Sequence, residues 1–431
     1  MKLINIDAEA EIPQLPPRTG GELWALVRFH RHPLGILELD ASRQYASADL
    51  RRLVANRFSW SIFQHLVSDG LAAHTLASLP ASLASLPRDC PGSNRTCDWP
   101  TVTVAVCTRD RAAQLAECLE TLDALDYPPD RLDILVVDNA PADDSTHRIV
   151  AARRRARYVR EDRPGLNWAR NRAVQEARGE LLAFVDDDTI VDAGWARALA
   201  TAFDEEPDAM CVTGLVVPHE LDAPAQRLFE QYGGFSRGFR RIYARIDRAA
   251  NERAASAHGG AGKFGTGANM TYRRCVFDSI GLFDPALDVG TITNGGGDLE
   301  MFFRVIKEGH LLMYEPCAIV RHRHRRTYEQ LRTQLANNGI GFYSYLVRAA
   351  LNYPDERGAI LRLGLWWLWY WNIRRLLVSL ARPRRFPRDL ILAELRGSLI
   401  GLWRYPAARR RAAEIGATYR PQQPSATGPA S

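Results

Sequence analysis

From residue 101 onward, short apolar runs alternate with longer segments in which apolar residues recur at helical spacing. Thr101-Val102-Thr103-Val104-Ala105-Val106-Cys107 is β-branched and apolar, and predicts a strand. Leu115, Leu119, Leu122 and Leu125 predict a helix over 112–125, which Pro128 and Pro129 break. Strands are predicted next at 132–137, 157–160 and 181–185, with helices over 144–156 and 165–178 between them. The order β-α-β-α-β-α-β predicts an α/β fold with a mostly parallel, doubly wound sheet. Strand ends carry the polar residues: Thr108-Arg109-Asp110-Arg111, Asp138-Asn139 and Asp186-Asp187-Asp188. Ligands of open α/β sheets bind beyond those carboxyl ends.

A helix over 193–205 and a strand over 209–217 are predicted to follow. Residues 230–262, rich in Gly, Arg and Ser, match no regular element and suggest a mobile loop over a site. Gly265 to Tyr272 predicts a glycine turn into a helix. Gly295-Gly296-Gly297 predicts a second such turn, into a helix whose first turn carries Asp298 and Glu300. Strands at 311–314 and 318–320 run into Arg321-His322-Arg323-His324. Upstream, strands at 24–29 and 34–39 and helices over 47–76 suggest a small accessory unit, residues 1–80. The expected division is then a proline-rich linker at 81–100, the α/β domain at 101–330, a helical extension at 331–415 and a disordered tail at 416–431.

The acidic triplet adds chemistry. Two like charges about 4 Å apart repel by roughly 4 kcal/mol at a surface-like dielectric, and a divalent cation relieves that. On a strand, Asp186 and Asp188 share a face while Asp187 turns away. Capping of a helix N-terminus is the alternative reading. Composition is that of a globular protein, with 25% charged and 46% hydrophobic residues. The net charge of +6 suits a phosphorylated substrate or an anionic surface, and no nucleic-acid recognition module accompanies it, so no nucleic acid is expected. The seven cysteines include no CxxC pair, which argues for reduced thiols. No signal-peptide pattern opens the chain, and a cytoplasmic setting is expected. Leu363 to Ile373 is uncharged, tryptophan-rich and followed by Arg374-Arg375. It falls short of the ~20 residues of a spanning helix and predicts peripheral contact at the inner face of the cell membrane; packing against the α/β domain or a second subunit is the alternative.

Together these blocks resemble a family 2 glycosyltransferase of the GT-A fold. The residues that carry the likeness are Val106 to Arg111, Val137-Asp138-Asn139, Gly165-Leu166-Asn167 with Ala169-Arg170-Asn171, and Phe184 to Asp188. Further along are Gly267-Ala268-Asn269-Met270, Gly297 to Glu300 with Arg304, and His322 with His324. The resemblance implies transfer of a sugar, with inversion, from a nucleotide-diphosphate sugar, a UDP-sugar by expectation. The acceptor is a hydroxyl on a glycan, a lipid-linked glycan or a small molecule, in cell-surface polysaccharide or glycolipid synthesis. It implies that Thr108, Arg109, Asp138, Asn167, Arg170, Asp186 and Asp187 bind the donor nucleotide. Asp188 with His322 or His324 would hold Mn²⁺ or Mg²⁺, and Gly267, Ala268, Asn269 and Arg304 would meet the donor sugar or the acceptor. Asp298 would be the catalytic base, with Glu300 as the fallback. Gly297 departs from the family, which often has glutamate there. A first-turn position predicts that the helix dipole favours the ionised form of these acids. A sugar-phosphate nucleotidyltransferase on a similar sheet is the competing reading.

Overall fold

The structure, a computed structural model, describes residues 3–17, 21–68, 99–246, 260–381 and 386–419. Most of the expected linker, the middle of the 230–262 segment and nearly all of the tail lie outside the described residues.

The main sheet has its parallel half in β4 (Val102–Thr108), β5 (Leu132–Asn139), β6 (Ala156–Glu161) and β7 (Leu181–Asp186). Helices α2 (Ala112–Asp123), α3 (Ser145–Ala151) and α4 (Leu166–Glu176) connect them. Side chains alternate across this half as a two-sided sheet requires. Val104, Val106, Ala183 and Val185 face one core with Leu115 and Trp195. Ala105, Leu182 and Phe184 face the other with Ala169, Phe283 and Met301.

The second half is mixed. Short β8 (Thr189–Val191) and α5 (Trp195–Glu205) lead to β9 (Ala209–Pro218), α6 (Pro224–Tyr232) and β10 (Ile242–Ala244). Then come β11 (Asn269–Arg273), α7 (Val276–Ile280), α8 (Gly297–Lys307) and β12 (Leu311–His322). The strand order is β10-β12-β9-β11-β7-β4-β5-β6, with β8 paired to β12. The expectation of a helix after Gly265 is corrected here: residues 269–273 are a strand, antiparallel to both β7 and β9. Five residues are too few to display a period, and the two flanking strands supply the hydrogen bonds that decide the outcome.

The upstream segment forms a separate three-stranded sheet of β1 (Ile4–Asp7), β2 (Glu22–Phe29) and β3 (His32–Asp40), covered by α1 (Ser47–Ser68). It packs on the main sheet through Leu3 and Leu26 against Leu215, Tyr314 and Ile319, and through the Arg28–Asp192 ion pair at 2.6 Å. On the far side, α9 (Tyr328–Asn352) crosses the long α12 (Arg388–Thr418). The approach is close enough that a Cβ on Gly339 would lie 2.7 Å from Ser398 N. Between them in sequence are α10 (Arg357–Trp367), a π-helical turn Leu368–Ile373 and α11 (Arg374–Ala381). The alanine- and arginine-rich end of α12 stays helical to Thr418, three residues into the expected tail.

Candidate active site

Strand register sets the geometry. Cys107 on β4 pairs with Asp186 on β7, and Thr108 pairs with Asp138 on β5. Asp138 and Asp186 therefore end strands two spacings apart, about 10 Å. Across β7, Asn269 pairs with Val185, so Ala268 and Gly267 continue alongside the acidic triplet. Gly267 N donates to Asp298 Oδ2 at 2.7 Å, which ties the start of α8 to the same edge.

Asp186, Asp188 and His322 bring ligand atoms within 4.8 Å of one another. Asp188 Oδ1 is buried without a hydrogen bond, 3.3 Å from His322 Nε2. Burial, then the Asp188 charge, pushes the Asp186 carboxyl up to about 7, with Arg170 opposing. Burial lowers His322 to about 4, against the pull of Asp188, so the imidazole is neutral near pH 7 and free to ligate. Two carboxylates and a neutral imidazole fit a divalent cation, and imidazole suits Mn²⁺. Asp186 thus joins the metal-type cluster rather than serving only a nucleotide. His324 does not: its Nε2 is 2.7 Å from Glu230 Oε1 and its Nδ1 is 3.3 Å from His322 Nδ1. It stands behind His322, between that ring and Glu230.

Asp187 turns the other way. Thr108 Oγ1 donates to its Oδ2 at 2.7 Å and Arg111 Nη1 to its Oδ1 at 3.1 Å. Arg111 also reaches Asp188 Oδ2 at 3.3 Å. Arg111 belongs to the Thr108-to-Arg111 block, and its sequence position alone assigns it no partner. Its signal is its place just ahead of α2, beside the strand ends. Arg109 is half-exposed and pairs with Asp110 at 3.6 Å. Asp138 is buried; Tyr158 Oη donates to its Oδ2 at 3.0 Å, while Oδ1 has no hydrogen-bond partner. Burial raises its pKa. A buried oxygen without a partner is rare in a folded protein.

Asn167 and Arg170 lie one layer below. Asn167 Nδ2 donates to Asp284 O at 2.9 Å; Arg170 Nη1 donates to Asn167 Oδ1 at 3.1 Å and pairs with Asp288. Asp288 was missed, since it sits in an irregular loop with no motif around it. Its backbone is its signal, and only the structure shows it: φ is +79°, rare for a residue other than glycine. A Cβ on Gly267 would lie 2.7 Å from Arg170 Nη2, so a larger residue there must displace that guanidinium.

Asp298 is partly exposed, and Glu300 is not exposed at all. Burial raises the Asp298 pKa, and nearby Asp288 adds to it; Arg170 and the amides of Gly267 and Leu299 oppose. The expectation that the helix dipole would favour ionisation is corrected: desolvation outweighs it. Glu300 is placed away from the cleft, paired with Arg304 at 2.8 Å and with Arg348 of α9. Arg304 is also absent from the cleft, donating to the carbonyls of Ile280 and of Leu282. Asn269 lies inside the sheet: Nδ2 donates to Leu215 O at 3.2 Å and Ala318 O at 2.8 Å, and Trp195 Nε1 donates to Oδ1.

A family model described as glycosyl transferase family 2 matches residues 103–281, which span the sheet from β4 to β11. Residues 103–281 are a glycosyl transferase family 2 domain. The family 2 domain is similar to a glucosyl-dolichyl phosphate glucuronosyltransferase of Haloferax volcanii, 24% identical over 192 residues, 42% of this chain and 56% of the relative. It is similar to a probable N-acetylgalactosaminyltransferase 6 of Caenorhabditis elegans, 25% identical over 303 residues, 67% of this chain and 47% of the relative. A pre-mycofactocin glycosyltransferase of Mycobacterium tuberculosis is 24% identical over 197 residues, 46% of this chain and 37% of the relative. The chain thus spans about half the length of these curated relatives or less. Among solved structures, a mannosyltransferase of Pyrobaculum calidifontis in complex with GDP-Man and Mn²⁺ aligns with a TM-score of 0.45 at 18% identity, covering 74% of this chain and 85% of that one.

Proposed function

We propose that this chain is an inverting, metal-dependent glycosyltransferase that moves a sugar from a nucleotide-diphosphate sugar to a hydroxyl acceptor. The observation that carries the reading is one sheet edge holding three groups together: the unpaired oxygen of Asp138, the Asp186–Asp188–His322 cluster, and Asp298 tied to Gly267. Asp138 accepts a hydrogen bond from the nucleotide base. The strand register supports a diphosphate lying between it and the acidic cluster. When bound, Mn²⁺ or Mg²⁺ on Asp186, Asp188 and His322 supplies charge that neutralises the leaving nucleoside diphosphate. Gly267 and Ala268 present backbone, with no bulky side chain, to the sugar. Asp298 takes the proton of the acceptor hydroxyl as that oxygen attacks the anomeric carbon from the face opposite the diphosphate. Burial raises its pKa, which makes its ionised form a stronger base than a solvated aspartate. The expectation of a uridine donor, and of an acceptor in cell-surface polysaccharide or glycolipid synthesis, follows from the family resemblance. Family 2 membership favours sugar transfer over nucleotidyl transfer.

The test is a thermal-shift screen of UDP- and GDP-sugars with and without Mn²⁺, followed by turnover of whichever donor stabilises the protein. The expected result is a metal-dependent shift and release of nucleoside diphosphate that Asp298→Asn and Asp188→Ala abolish. Undiminished turnover in both variants overturns the assignment.

A further inference from the structure

Residues 357–381 form one unbroken helical stretch, from α10 through the π-helical turn to α11. At 1.5 Å per residue it is about 37 Å long. Its inner face is packed on α9. Trp367 stacks on Phe342 with centroids 4.6 Å apart, and Tyr343 Oη donates to Gly364 O at 2.8 Å. The outer face is open and apolar. Leu361, Leu365, Trp366, Trp369, Leu377 and Leu380 recur at one-, three-, four- and eight-residue steps along it, with Leu361 64% and Trp369 56% exposed. Such a contiguous stripe marks a contact surface, whereas single exposed leucines do not.

Charge and residue type say what covers it. These 25 residues include Arg357, Arg362, Arg374 and Arg375 and no acidic residue. The sequence continues Arg382-Pro383-Arg384-Arg385. The Arg374 guanidinium lies 4.2 Å from the Tyr370 ring centroid, beside the Trp366–Tyr370 stack. Indole and phenol rings settle at the boundary between headgroups and acyl chains, and guanidinium groups meet lipid phosphates there. A second copy of the chain would oppose one acid-free, arginine-bearing face to another, like charge against like. No helix among the described residues is long and apolar enough to cross a membrane, so the contact lies in the surface plane.

We propose that the outer face of residues 357–381 docks on an anionic bilayer, with the helix lying flat at the headgroup boundary. The inference goes beyond the glycosyltransferase reading and needs no donor or acceptor. The docked helix also touches the support of the metal-type cluster. Trp371 and Arg375 pack on Tyr232 of α6, with Arg375 3.8 Å from the Tyr232 ring centroid, and Glu230 of the same helix holds His324.

The experiment is vesicle flotation of the full chain. One set of vesicles is phosphatidylcholine alone, and the other also contains phosphatidylglycerol. Binding is expected only to the second, weakening toward 1 M salt, where the Debye length falls to about 3 Å. Arg362→Gln and Arg374→Gln should each lower partitioning roughly fivefold. Leu365→Glu with Trp369→Glu should lower it about tenfold or more. Far-UV circular dichroism and the melting curve check that each variant is folded; the exposed arginine changes serve if the double variant is not. Folded wild-type protein that stays off phosphatidylglycerol vesicles overturns the proposal. So does a dimer in sedimentation equilibrium that Trp369→Glu dissociates. Donor turnover measured without lipid is untouched by either result, so the two readings fail separately.

Discussion

Gly297, where the family often carries glutamate, has a cause in the packing beneath it. A Cβ built on Gly297 would lie 2.5 Å from Asp288 Oδ2 and would also run into Asn167 Nδ2. Neither group is free to move. Asn167 Nδ2 is bonded to Asp284 O at 2.9 Å, and Asp288 is paired with the buried Arg170. A Gly297→Ala change must open the gap by about 1 Å to reach ordinary van der Waals contact. Overpacking of this kind costs roughly 1–3 kcal/mol, and loosening one hydrogen bond to a charged group costs about 1.5–3 kcal/mol. Alanine returns up to about 1 kcal/mol of helix propensity. The expected net loss is about 2–4 kcal/mol. Urea unfolding followed by circular dichroism reads this as a lower midpoint at constant m-value, and donor turnover should fall with it because Arg170 and Asp298 share the network. A midpoint change worth less than about 0.5 kcal/mol, with full turnover, would show that Asn167 and Asp288 do not fill that space.

The two acids of α8 should separate cleanly. Asp298→Asn is expected to abolish turnover with little change in stability, whereas Glu300→Gln leaves Arg304 and Arg348 poorly paired and should cost about 3–5 kcal/mol in unfolding free energy. A Glu300→Gln protein that is stable yet inactive would move the base to Glu300. Mn²⁺ at a hundredfold excess over its dissociation constant should stabilise the protein by about 2.7 kcal/mol, and Asp188→Ala should erase the gain in differential scanning calorimetry. The raised Asp186 pKa fixes the pH behaviour: in metal-free protein its contribution is full below the ordinary value of 3.8 and is lost as pH rises through about 7. Mn²⁺ stabilisation should therefore grow as pH rises through that range, and a pH-independent effect would place the ion elsewhere. Asp138→Ala should weaken nucleotide binding by roughly tenfold in calorimetric titration, without changing the Mn²⁺ response.

The unbroken apolar run from Leu181 to Val185 and the polar strand ends made the parallel half of the sheet legible, because β4, β5 and β7 are buried on both faces, whereas the edge strand β6 carries Arg157 and Arg160. The same logic grouped Asp186 with Asp188, and the structure brings both together with His322. What could not be read were features set by distant partners. β11 is a strand because β7 and β9 flank it. Glu300 and Arg304 look like site residues by spacing, yet Arg348, supplied by a helix some forty residues later, draws the carboxylate into the interior. Asp288 reaches Arg170 through a loop with no periodicity at all. The raised pKa of Asp298 has a similar origin, since burial is a tertiary property.

The position of β11 bears on how this sheet comes into being. β7 and β9 are joined directly through α5, yet they are not neighbours; the slot between them stays empty until residues 269–273 arrive. A chain emerging during synthesis therefore holds the half-sheet β7-β4-β5-β6 with a raw β7 edge, and a β9 with neither neighbour, for the time it takes to make some fifty further residues. Any fragment cut before Arg273 keeps those edges, and with them a template for pairing with other copies. The smallest piece that can fold cleanly must run past that returning strand to β12, the other neighbour of β9.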